Sequence, residues 1–319
     1  MLTTARTTAT DRAPAQEPLL TTTVPREFVH RASVAEVFLT GWAAEKTDSG
    51  ESDAFVVRAQ WPRNHALFAP VGGYQDPLLM VESIRQIGSL LAHAEYAVPF
   101  GHQFLMRDMS FTAAASAFEV EPVPTEVELH AVCRELVRRG RTIAGMRYEV
   151  CVRRGDLTVA TGGASYSCTS PAAYRRLRGE RPTRTFRDVP APADPAEVGR
   201  TDPDHVVLAD RAVPGENRWE LRVDTGHPCF FDHPVDHVPG MVLIEAARQA
   251  ARAATGQPGA LLVALDTEFT RYAELDAPCW IEARAGDLDA AGNLRVRVSG
   301  IQEGEQVFAA DLTLRCPAA

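Results

Sequence analysis

The sequence predicts an α+β protein made of two similar halves, each an antiparallel β-sheet wrapped around one central apolar helix. Two observations predict this architecture. Short segments of the first half recur in the second half in the same order, and each half contains one apolar helical segment followed by several extended runs. The chain has 319 residues, which is enough for two domains of ordinary size, each with its own hydrophobic core.

The repeat is carried by four pairs of segments that occur in the same order with similar spacing. Because four ordered matches are hard to obtain by chance, they indicate a tandem duplication. The pairs are HALF (65–68) with HPCF (227–230), ESIRQ (82–86) with EAARQ (245–249), LMRDMSFT (105–112) with VALDTEFT (263–270), and PTEVEL (124–129) with PCWIEA (278–283).

Each half also has the same order of predicted elements. A strand-like segment (54–61; 218–223) comes first, and the apolar helix follows at about 77–97 and 239–254. In the second helix, the apolar residues of MVLIEAARQAARAA cover nearly the whole circumference, which is typical of a helix enclosed by a sheet. Extended runs with alternating or β-branched character complete the halves at 104–114, 125–137, 142–153 and 157–168, then at 261–269, 279–287, 294–302 and 305–315.

Four regions are predicted: a disordered tail at 1–23, a first half at 24–170, a Pro/Arg-rich linker at 171–200 and a second half at 201–319. The tail lacks the apolar core of a secretory signal, and no run of about 18 apolar residues occurs. A cytoplasmic protein without membrane contact is therefore expected. The net charge of -9 disfavours nucleic acid as a partner.

One stretch of the predicted linker, residues 174–189, is locally basic, since its arginines outnumber Glu180 and Asp188. It is either a solvated linker or a docking surface for an acidic partner such as an acyl carrier protein. The cysteines include no CxxC pair, which argues against a zinc site and against a disulfide scaffold.

Charged and polar side chains within the two apolar helices are candidates for a functional site. Residues three or four apart share a helix face, and charge is expensive inside an enclosed helix. Such a cluster indicates either a site or an architectural ion pair that fixes the packing of the halves. The residues are Glu245, Arg248 and Gln249 in the second half, and Glu82, Arg85, Gln86, Ser89 and His93 in the first.

Histidines in the loop before each helix are further candidates. His233 and His237 lie just before the second helix, where either could serve as a base. His227 and its counterpart His65 begin the loop in both halves, which indicates a site role or a shared loop-anchoring hydrogen bond. The spacing is not that of a helical zinc motif, so no metal is expected.

The backbone N–H groups at the start of the second helix, around Gly240 and Met241, have no partner within the helix. They are aligned with the helix dipole and could hold an oxyanion.

The segment HPCFFDHPVDHVPGMVLIEAARQ (227–249) resembles the active-site segment of hotdog 3-hydroxyacyl-carrier-protein dehydratases, in which a histidine precedes the helix and an acidic residue lies within it. Together with DPLLMVESIRQ (76–86) and His93, this pattern resembles the A-factor (γ-butyrolactone) synthase family over essentially residues 24–316. The resemblance implies a tandem hotdog fold, with the two halves paired as a pseudo-dimer within one monomeric chain.

The resemblance also implies an activity: transfer of a 3-oxoacyl group from acyl carrier protein or coenzyme A to the hydroxyl of dihydroxyacetone phosphate. The ester would close by intramolecular aldol condensation on the way to a γ-butyrolactone, furan or butenolide signalling molecule. No cofactor is implied. One principal site is expected, centred on Glu245, Arg248 and the His233/His237 loop, with Glu82 completing or mirroring it. The predicted substrate-binding residues are Arg85, Gln86, Gln249, Gly240, Met241, His227, His65 and His93.

Within this expectation, Arg248 would bind the phosphate or polarise the 3-oxo group, and a histidine or Glu245 would take the hydroxyl proton. Two alternatives stay open. A hotdog dehydratase or thioesterase would act on the acyl thioester without a phosphate-containing acceptor. A non-catalytic acyl-ligand-binding protein would have the fold but no turnover.

Overall fold

The computed structural model describes residues 21–45, 53–181, 187–211, 213 and 215–316. Nearly all of the tail predicted over residues 1–23 lies outside the described residues, as does part of the predicted linker. The described residues form one 11-stranded antiparallel sheet with the order β1-β2-β4-β5-β6-β3-β8-β11-β10-β9-β7. The strands are β1 Leu39–Ala44, β2 Ala54–Trp61, β3 Gln103–Ala113, β4 Thr125–Arg139, β5 Thr142–Arg154, β6 Leu157–Thr169, β7 Arg218–Glu220, β8 Leu261–Phe269, β9 Cys279–Leu288, β10 Asn293–Gln302 and β11 Glu305–Arg315.

Two long helices lie against this sheet, one in each half. They are α1 (Leu78–Ala94) and α4 (Gly240–Thr255), and the short helices α2 (Pro171–Arg178) and α3 (Pro195–Val198) lie between the halves in the chain. Every residue of α1 except Arg85 and Ala94 is buried, and α4 is buried from Met241 to Arg252. Burial on all sides confirms the prediction of apolar helices enclosed by a curled sheet.

The two halves join through strands β3 and β8, which pair antiparallel in the middle of the sheet. Met109 pairs with Thr267, and these residues hold the same place in LMRDMSFT and VALDTEFT. An approximate twofold axis therefore passes through this pair. Thr267 strengthens the junction, because its hydroxyl donates to the carbonyl of Met109 at 2.8 Å. The tandem architecture predicted from the repeat is confirmed.

The region predicted as a linker contains structure that belongs to the second half. Val198 in α3 is fully buried, and the Ala193 amide donates to the Leu208 carbonyl at 2.9 Å. Short segments before the first strand of each half also correspond. In the first half, 3₁₀ turns at Arg26–Val29 and Val34–Glu36 precede β1, and in the second half α3 and a 3₁₀ turn at Pro203–His205 precede β7. In the described part of the chain, no helix has both the length and the apolar character needed to cross a membrane.

Candidate active site

A cavity of about 1590 Å³ lies where the two halves meet. Its walls include the loop before β1, helix α1 and strand β3 from the first half, and the loop before α4, the start of α4 and strand β8 from the second. Several wall residues have side chains that can bind a ligand or transfer a proton: His30, Arg31, Arg85, Ser89, His233 and His237. The apolar wall residues include Phe104, Phe230, Met241 and Ile244.

The start of α4 opens onto this cavity. Gly240 and Met241 both line the wall, and within the described residues their amides have no hydrogen-bond partner. A Cβ on Gly240 would lie only 3.2 Å from the Phe269 ring, so glycine keeps the backbone close to its neighbour here. Two free amides at the positive end of a helix dipole have the geometry that favours an anion, and anion binding by these two residues stays a prediction.

On the first-half side, Glu82 is the centre of a buried charged cluster. Arg31 reaches its carboxylate at 2.7 Å, Arg85 at 2.7 Å and Gln86 at 2.7 Å. Burial raises the pKa of Glu82, but the guanidinium groups of Arg31 and Arg85 more than offset this and lower it to about 2. Glu82 is therefore ionised, and its role in this geometry is to hold two arginines in place.

Arg85 is the member of this cluster that faces the cavity. Its Nε and Nη2 donate to Glu82, and its side chain stays 21% exposed. Among the described residues, Nη1 of Arg85 has no acceptor, so it is available to a ligand anion. Ser89, one helical turn further on, also lies on the wall.

His233 reaches the same end of the cavity from the second half. Its Nδ1 lies 2.5 Å from Oδ1 of Asp232, which also accepts from the Ala32 amide at 2.8 Å. Burial raises the pKa of Asp232, yet the contacts with His233 and Arg31 lower it to about 2. An ionised Asp232 orients the His233 ring, leaving Nε2 as the nitrogen available to a substrate.

On the second-half side, the equivalent charged cluster is closed. Glu245 accepts from Arg200 at 2.7 Å, from Arg248 at 2.5 Å and from Gln249 at 2.6 Å. Arg248 also contacts Asp76 of the first half at 2.5 Å. Burial raises the carboxylate pKa values of Glu245 and Asp76, and the arginines lower them to a larger extent, so both are ionised.

Neither Glu245 nor Arg248 lies on the cavity wall. The sequence led us to expect one site in which these two residues lie together with His233 and His237. The structure does not bring the four side chains together at the cavity. The reason is that each loop crosses to the other half: Asp232 and His233 join the Glu82 cluster, whereas Asp76 joins the Glu245 cluster.

Asp76 and Arg252 make additional contacts on the second-half side that leave no open site there. Asp76 caps α1 by accepting from the Leu78 amide at 2.9 Å, so this helix start has no open anion site like that of α4. Arg252, which corresponds to Ser89 of the first half, is buried and donates to the carbonyls of Ala260 and Gly199. A Cβ on Gly199 would lie 2.8 Å from Nη1 of Arg252 and 2.2 Å from the Pro258 carbonyl, so only glycine fits.

The histidines at the start of the two loops act as loop anchors. Nδ1 of His65 accepts from the Leu67 and Phe68 amides at 3.2 Å, and Nδ1 of His227 accepts from the equivalent Cys229 and Phe230 amides at 3.2 Å. This geometry supports the loop-anchoring interpretation, because Nδ1 is already used.

Gln86 and Gln249 also contact backbone. Their amides bind the Glu36 and His205 carbonyls, at 2.7 and 2.9 Å, besides the neighbouring carboxylate. His237 lies on the wall with Nδ1 2.8 Å from Asp236. His93 does not lie on the wall and is in contact with His30 behind it.

One group of potential metal ligands, Glu36, His65 and Cys229, occurs in the described residues. Because Nδ1 of His65 accepts two amide protons, a neutral ring carries its own proton on Nε2, which points at Glu36 at 3.3 Å. Burial, with Glu36 nearby, raises the pKa of the Cys229 thiol to about 12. A protonated imidazole nitrogen and a protonated thiol do not suit a cation.

The main residues missed by sequence reasoning are His30, Arg31, Arg200 and Asp76. Arg31 and Arg200 hold equivalent places, since each binds the helix glutamate of its half. The signal was present but short: VHRAS at 29–33 corresponds to VGRTD at 198–202. Two identities in five residues do not stand out without the fold.

An antiparallel sheet wrapped around a central helix, repeated once with a cavity between the repeats, defines a tandem hotdog protein. The fold occurs in the solved structure of the 12:0-ACP thioesterase from Umbellularia californica, which matches with a TM-score of 0.50 at 13% identity, over 82% of this chain and 94% of that one. The chain belongs to the A-factor biosynthesis hotdog family (AfsA), whose domain matches residues 13–170 and 182–318.

Curated relatives extend this similarity over nearly the whole chain. A Streptomyces virginiae protein named 2-oxo-3-(phosphooxy)propyl 3-oxoalkanoate synthase is 51% identical over 290 residues, covering 91% of this chain and 96% of the relative. A Streptomyces coelicolor protein of the same name is 42% identical over 293 residues, covering 91% of each. The family predicted from the sequence is confirmed.

Proposed function

We propose that the protein is an acyltransferase that moves a 3-oxoacyl group from a thioester to the hydroxyl of dihydroxyacetone phosphate. The observation that carries the proposal is the cavity, which combines an open helix start, a cation with a free donor and an apolar wall. The product would be a 2-oxo-3-(phosphooxy)propyl 3-oxoalkanoate, the ester in the name of the curated relatives.

Each part of the cavity has a task in this reaction. The amides of Gly240 and Met241 hold the thioester oxygen as negative charge develops on it. Arg85 binds the phosphate of the acceptor through its free Nη1, and Glu82 keeps that guanidinium in place. Phe104 and Ile244 are among the apolar residues available to hold the acyl chain and exclude water.

The transfer is then an addition followed by an elimination. The hydroxyl oxygen attacks the thioester carbonyl carbon, and its proton passes to an imidazole of the cavity wall. The carbon–sulfur bond breaks, and the thiolate takes the proton, so that one ester and one thiol are formed. The protein supplies orientation and electrostatic stabilisation, and no redox step is needed.

The test is a product assay with purified protein, a 3-oxoacyl thioester and dihydroxyacetone phosphate, followed by mass spectrometry. A phosphorylated ester and one equivalent of free thiol are expected. Phosphate-free dihydroxyacetone is the matched acceptor, and it should react much more slowly because Arg85 has no anion to bind. Free 3-oxo acid formed at the same rate without an acceptor would instead identify a thioesterase, and binding without turnover would identify an acyl-binding protein.

For the donor, helix α2 supports an acyl carrier protein. One face of α2 is docked, since Arg178 binds Glu274 at 2.6 Å and Tyr174 binds Asp236 at 2.6 Å. The opposite face carries Arg175, Arg176 and the 65% exposed Leu177. Ala173 of the same helix lies on the cavity wall, so a basic surface adjoins the cavity.

An acidic carrier protein bound to this face could deliver its thioester into the cavity, and charge complementarity mainly affects the rate of association. Charge reversal by Arg175→Glu with Arg176→Glu should lower kcat/KM for the carrier-bound thioester by about 10-fold or more. The same variant should act normally on a pantetheine thioester. Reversal of exposed Arg58 on β2 is the control. Equal effects on both donors would reject the docking role.

A further inference from the structure

A pair of histidines on and behind the cavity wall has no part in the roles assigned above. Nε2 of His30 lies 2.7 Å from Nε2 of His93, and Nδ1 of His93 lies 2.7 Å from the Val98 carbonyl oxygen. His30 is on the cavity wall, as are Arg85 and Ser89, whereas His93 is buried. The Phe104 ring contacts His30 nearly at right angles, with ring centroids 4.7 Å apart.

The positions of the protons in this pair follow from the contacts. A carbonyl oxygen only accepts, so Nδ1 of His93 carries a proton, and Nε2 of neutral His93 is an acceptor. Nε2 of His30 must then be the donor across the 2.7 Å contact. This leaves Nδ1 of His30 without a proton. No described residue donates to that nitrogen, and it is not sealed from solvent.

The backbone of His30 is strained at this point. Its φ is 53° and its ψ is 50°, in the left-handed region that disfavours a residue with a Cβ. The equivalent residue of the second half is Gly199, also left-handed with φ of 71°. Strain retained at a cavity wall indicates a requirement for the side chain itself.

The second half lacks the whole arrangement. Where the first half has His30, Ser89 and His93, the second has Gly199, Arg252 and Gly256, and the side chain of Arg252 fills the space next to Gly199. Among the described residues, the histidine pair is therefore present only in the half whose charged cluster reaches the cavity wall, through Arg85. A pair needed for the stability of a hotdog half would be expected in both.

We propose that His30 is the general base of the transfer, and that His93 positions it. Nδ1 of His30 takes the proton of the attacking hydroxyl while the carbon–oxygen bond forms. When the carbon–sulfur bond breaks, the leaving thiolate takes that proton, and His30 is neutral again. His93 keeps its proton on the Val98 carbonyl throughout, and it stabilises the transient imidazolium by accepting from Nε2 of His30.

The electrostatic surroundings agree with this role. Burial, followed by the effects of His93, Arg85 and His233, lowers the pKa of His30 to about 3, so the ring is neutral in the free site. A phosphate bound to Arg85 offsets the repulsion by that guanidinium and raises the pKa of His30. Binding of the acceptor thus reverses the part of the lowering that Arg85 causes, while burial, the largest cause, stays. The inference rests on the proposed function, since it needs a hydroxyl acceptor with an anionic group.

His233 is the competing candidate, because it also presents an imidazole nitrogen to the cavity and has a carboxylate partner. His30→Gly should lower kcat for ester formation by about 100-fold or more, the usual contribution of a general base. It should keep the fold, because the equivalent position of the second half is glycine. His233→Gln should lower kcat much less.

Two further variants separate chemistry from structure. His30→Asn places a carbonyl oxygen near the position of Nδ1 and tolerates the left-handed backbone, so it should orient the hydroxyl and retain more transfer than His30→Gly. The His30→Gly enzyme should also bind a non-hydrolysable thioester analogue with nearly the wild-type Kd while losing ester, so that the loss lies in the chemical step and not in donor binding. His93→Phe should lower kcat with little change in KM, and His93→Gln, whose amide both donates and accepts, should restore part of the loss.

The outcomes are distinguishable. Wild-type transfer by His30→Gly, or a larger loss in His233→Gln than in His30→Gly, would overturn the assignment of the base while the proposed function stands. A wild-type enzyme that makes no ester from dihydroxyacetone phosphate would overturn the proposed function and this inference together. Loss of affinity for the thioester analogue in His30→Gly would also contradict it, because that result indicates general damage to the site.

Discussion

The Glu82 and Glu245 clusters are built from equivalent residues of a duplicated chain, yet one adjoins the cavity and the other is sealed. Each glutamate binds one arginine from the preceding segment and one from its own helix. Arg248 finds a second carboxylate in Asp76, whereas Arg85 has none and keeps a free donor at the cavity. One added contact therefore distinguishes the buried ion pairs of Arg248 from Arg85, the cation that we propose binds a ligand.

The difference shows how a duplicated fold can divide its work. The sealed cluster holds two arginines and two carboxylates away from water, which is tolerated because the charges balance and each is paired. In the open cluster, Nη1 of Arg85 has no acceptor among the described residues, and this is where we propose that an anion binds. We infer that the second half mainly supplies rigidity and the open start of α4, while the first half supplies the charged chemistry.

The largest expected effect comes from breaking the sealed cluster. Arg248→Met leaves Glu245 and Asp76 with Arg200 alone, and removal of one partner from a buried network costs about 3–5 kcal/mol of unfolding free energy. Urea unfolding should show this loss. The activity of the protein that remains folded should be close to wild type, because Arg248 does not reach the cavity. A stable Arg248→Met protein without activity would show that the second-half cluster is the catalytic one.

Copying the second half into the first should convert the open cluster into a closed one. Ser89→Arg places an arginine where Arg252 stands in the second half, beside His30, and should lower ester formation by about 100-fold because displaced groups lose their alignment. The fold should survive, which circular dichroism and the unfolding midpoint can check. Arg252→Ser is the reciprocal control, and it should not raise activity. Undiminished turnover by Ser89→Arg would mean that acyl transfer takes place elsewhere.

Removal of the Arg85 guanidinium should lower ester formation by a smaller factor. Arg85→Met eliminates the donor to the acceptor phosphate, and a lost hydrogen bond to a charged group corresponds to about 10- to 100-fold in kcat/KM for dihydroxyacetone phosphate. Reactivity toward phosphate-free dihydroxyacetone should change much less. Arg85→Lys should restore only part of the loss, because lysine cannot bind Glu82 at two points while facing an anion. An equal loss with both acceptors would argue against phosphate binding by Arg85.

The sequence predicted the fold well because its signals are local. The apolar periodicity of the two helices and the alternation in the later strands placed those elements to within a few residues of their observed bounds. Strand β1 and helix α2 were not predicted as such, since β1 is short and α2 lies in an arginine-rich stretch with little apolar patterning. Family membership followed from one long motif and its partner in the other half.

The site was predicted only in part, because its key pairings join the halves. Glu82, Arg85 and His233 were singled out, but the sequence cannot show that Asp76 contacts Arg248 across 172 positions or that Asp232 contacts Arg31. These two contacts decide which cluster opens to the cavity. His30 escaped notice because its role depends on a backbone conformation and a ring contact, neither of which leaves a residue pattern.

The smallest expected effect is a difference in acid sensitivity between the two halves. Burial lowers the pKa of His30 to about 3 and that of His227 to about 4, from an ordinary value of 6.5. Below pH 6.5 the unfolded chain therefore binds protons that the folded protein does not, so the free energy of unfolding falls as the pH falls towards these values. Glu82, whose pKa is lowered from 4.5 to about 2, adds a further loss below pH 4.5.

Single variants of the two histidines show how much of this pH dependence of the unfolding free energy each histidine causes. His30→Gly removes one proton-linked group from the first half, and His227→Gln removes one from the second. Each should make the slope of unfolding free energy against pH shallower between about pH 4 and 6.5, as measured by urea titration at several pH values. His30→Gly should extend the shallower slope to a lower pH, because the pKa of His30 is the more strongly lowered of the two. Wild-type slopes in both variants would show that these histidines titrate normally in the folded protein, which would remove the electrostatic support for a neutral His30 at the open cluster.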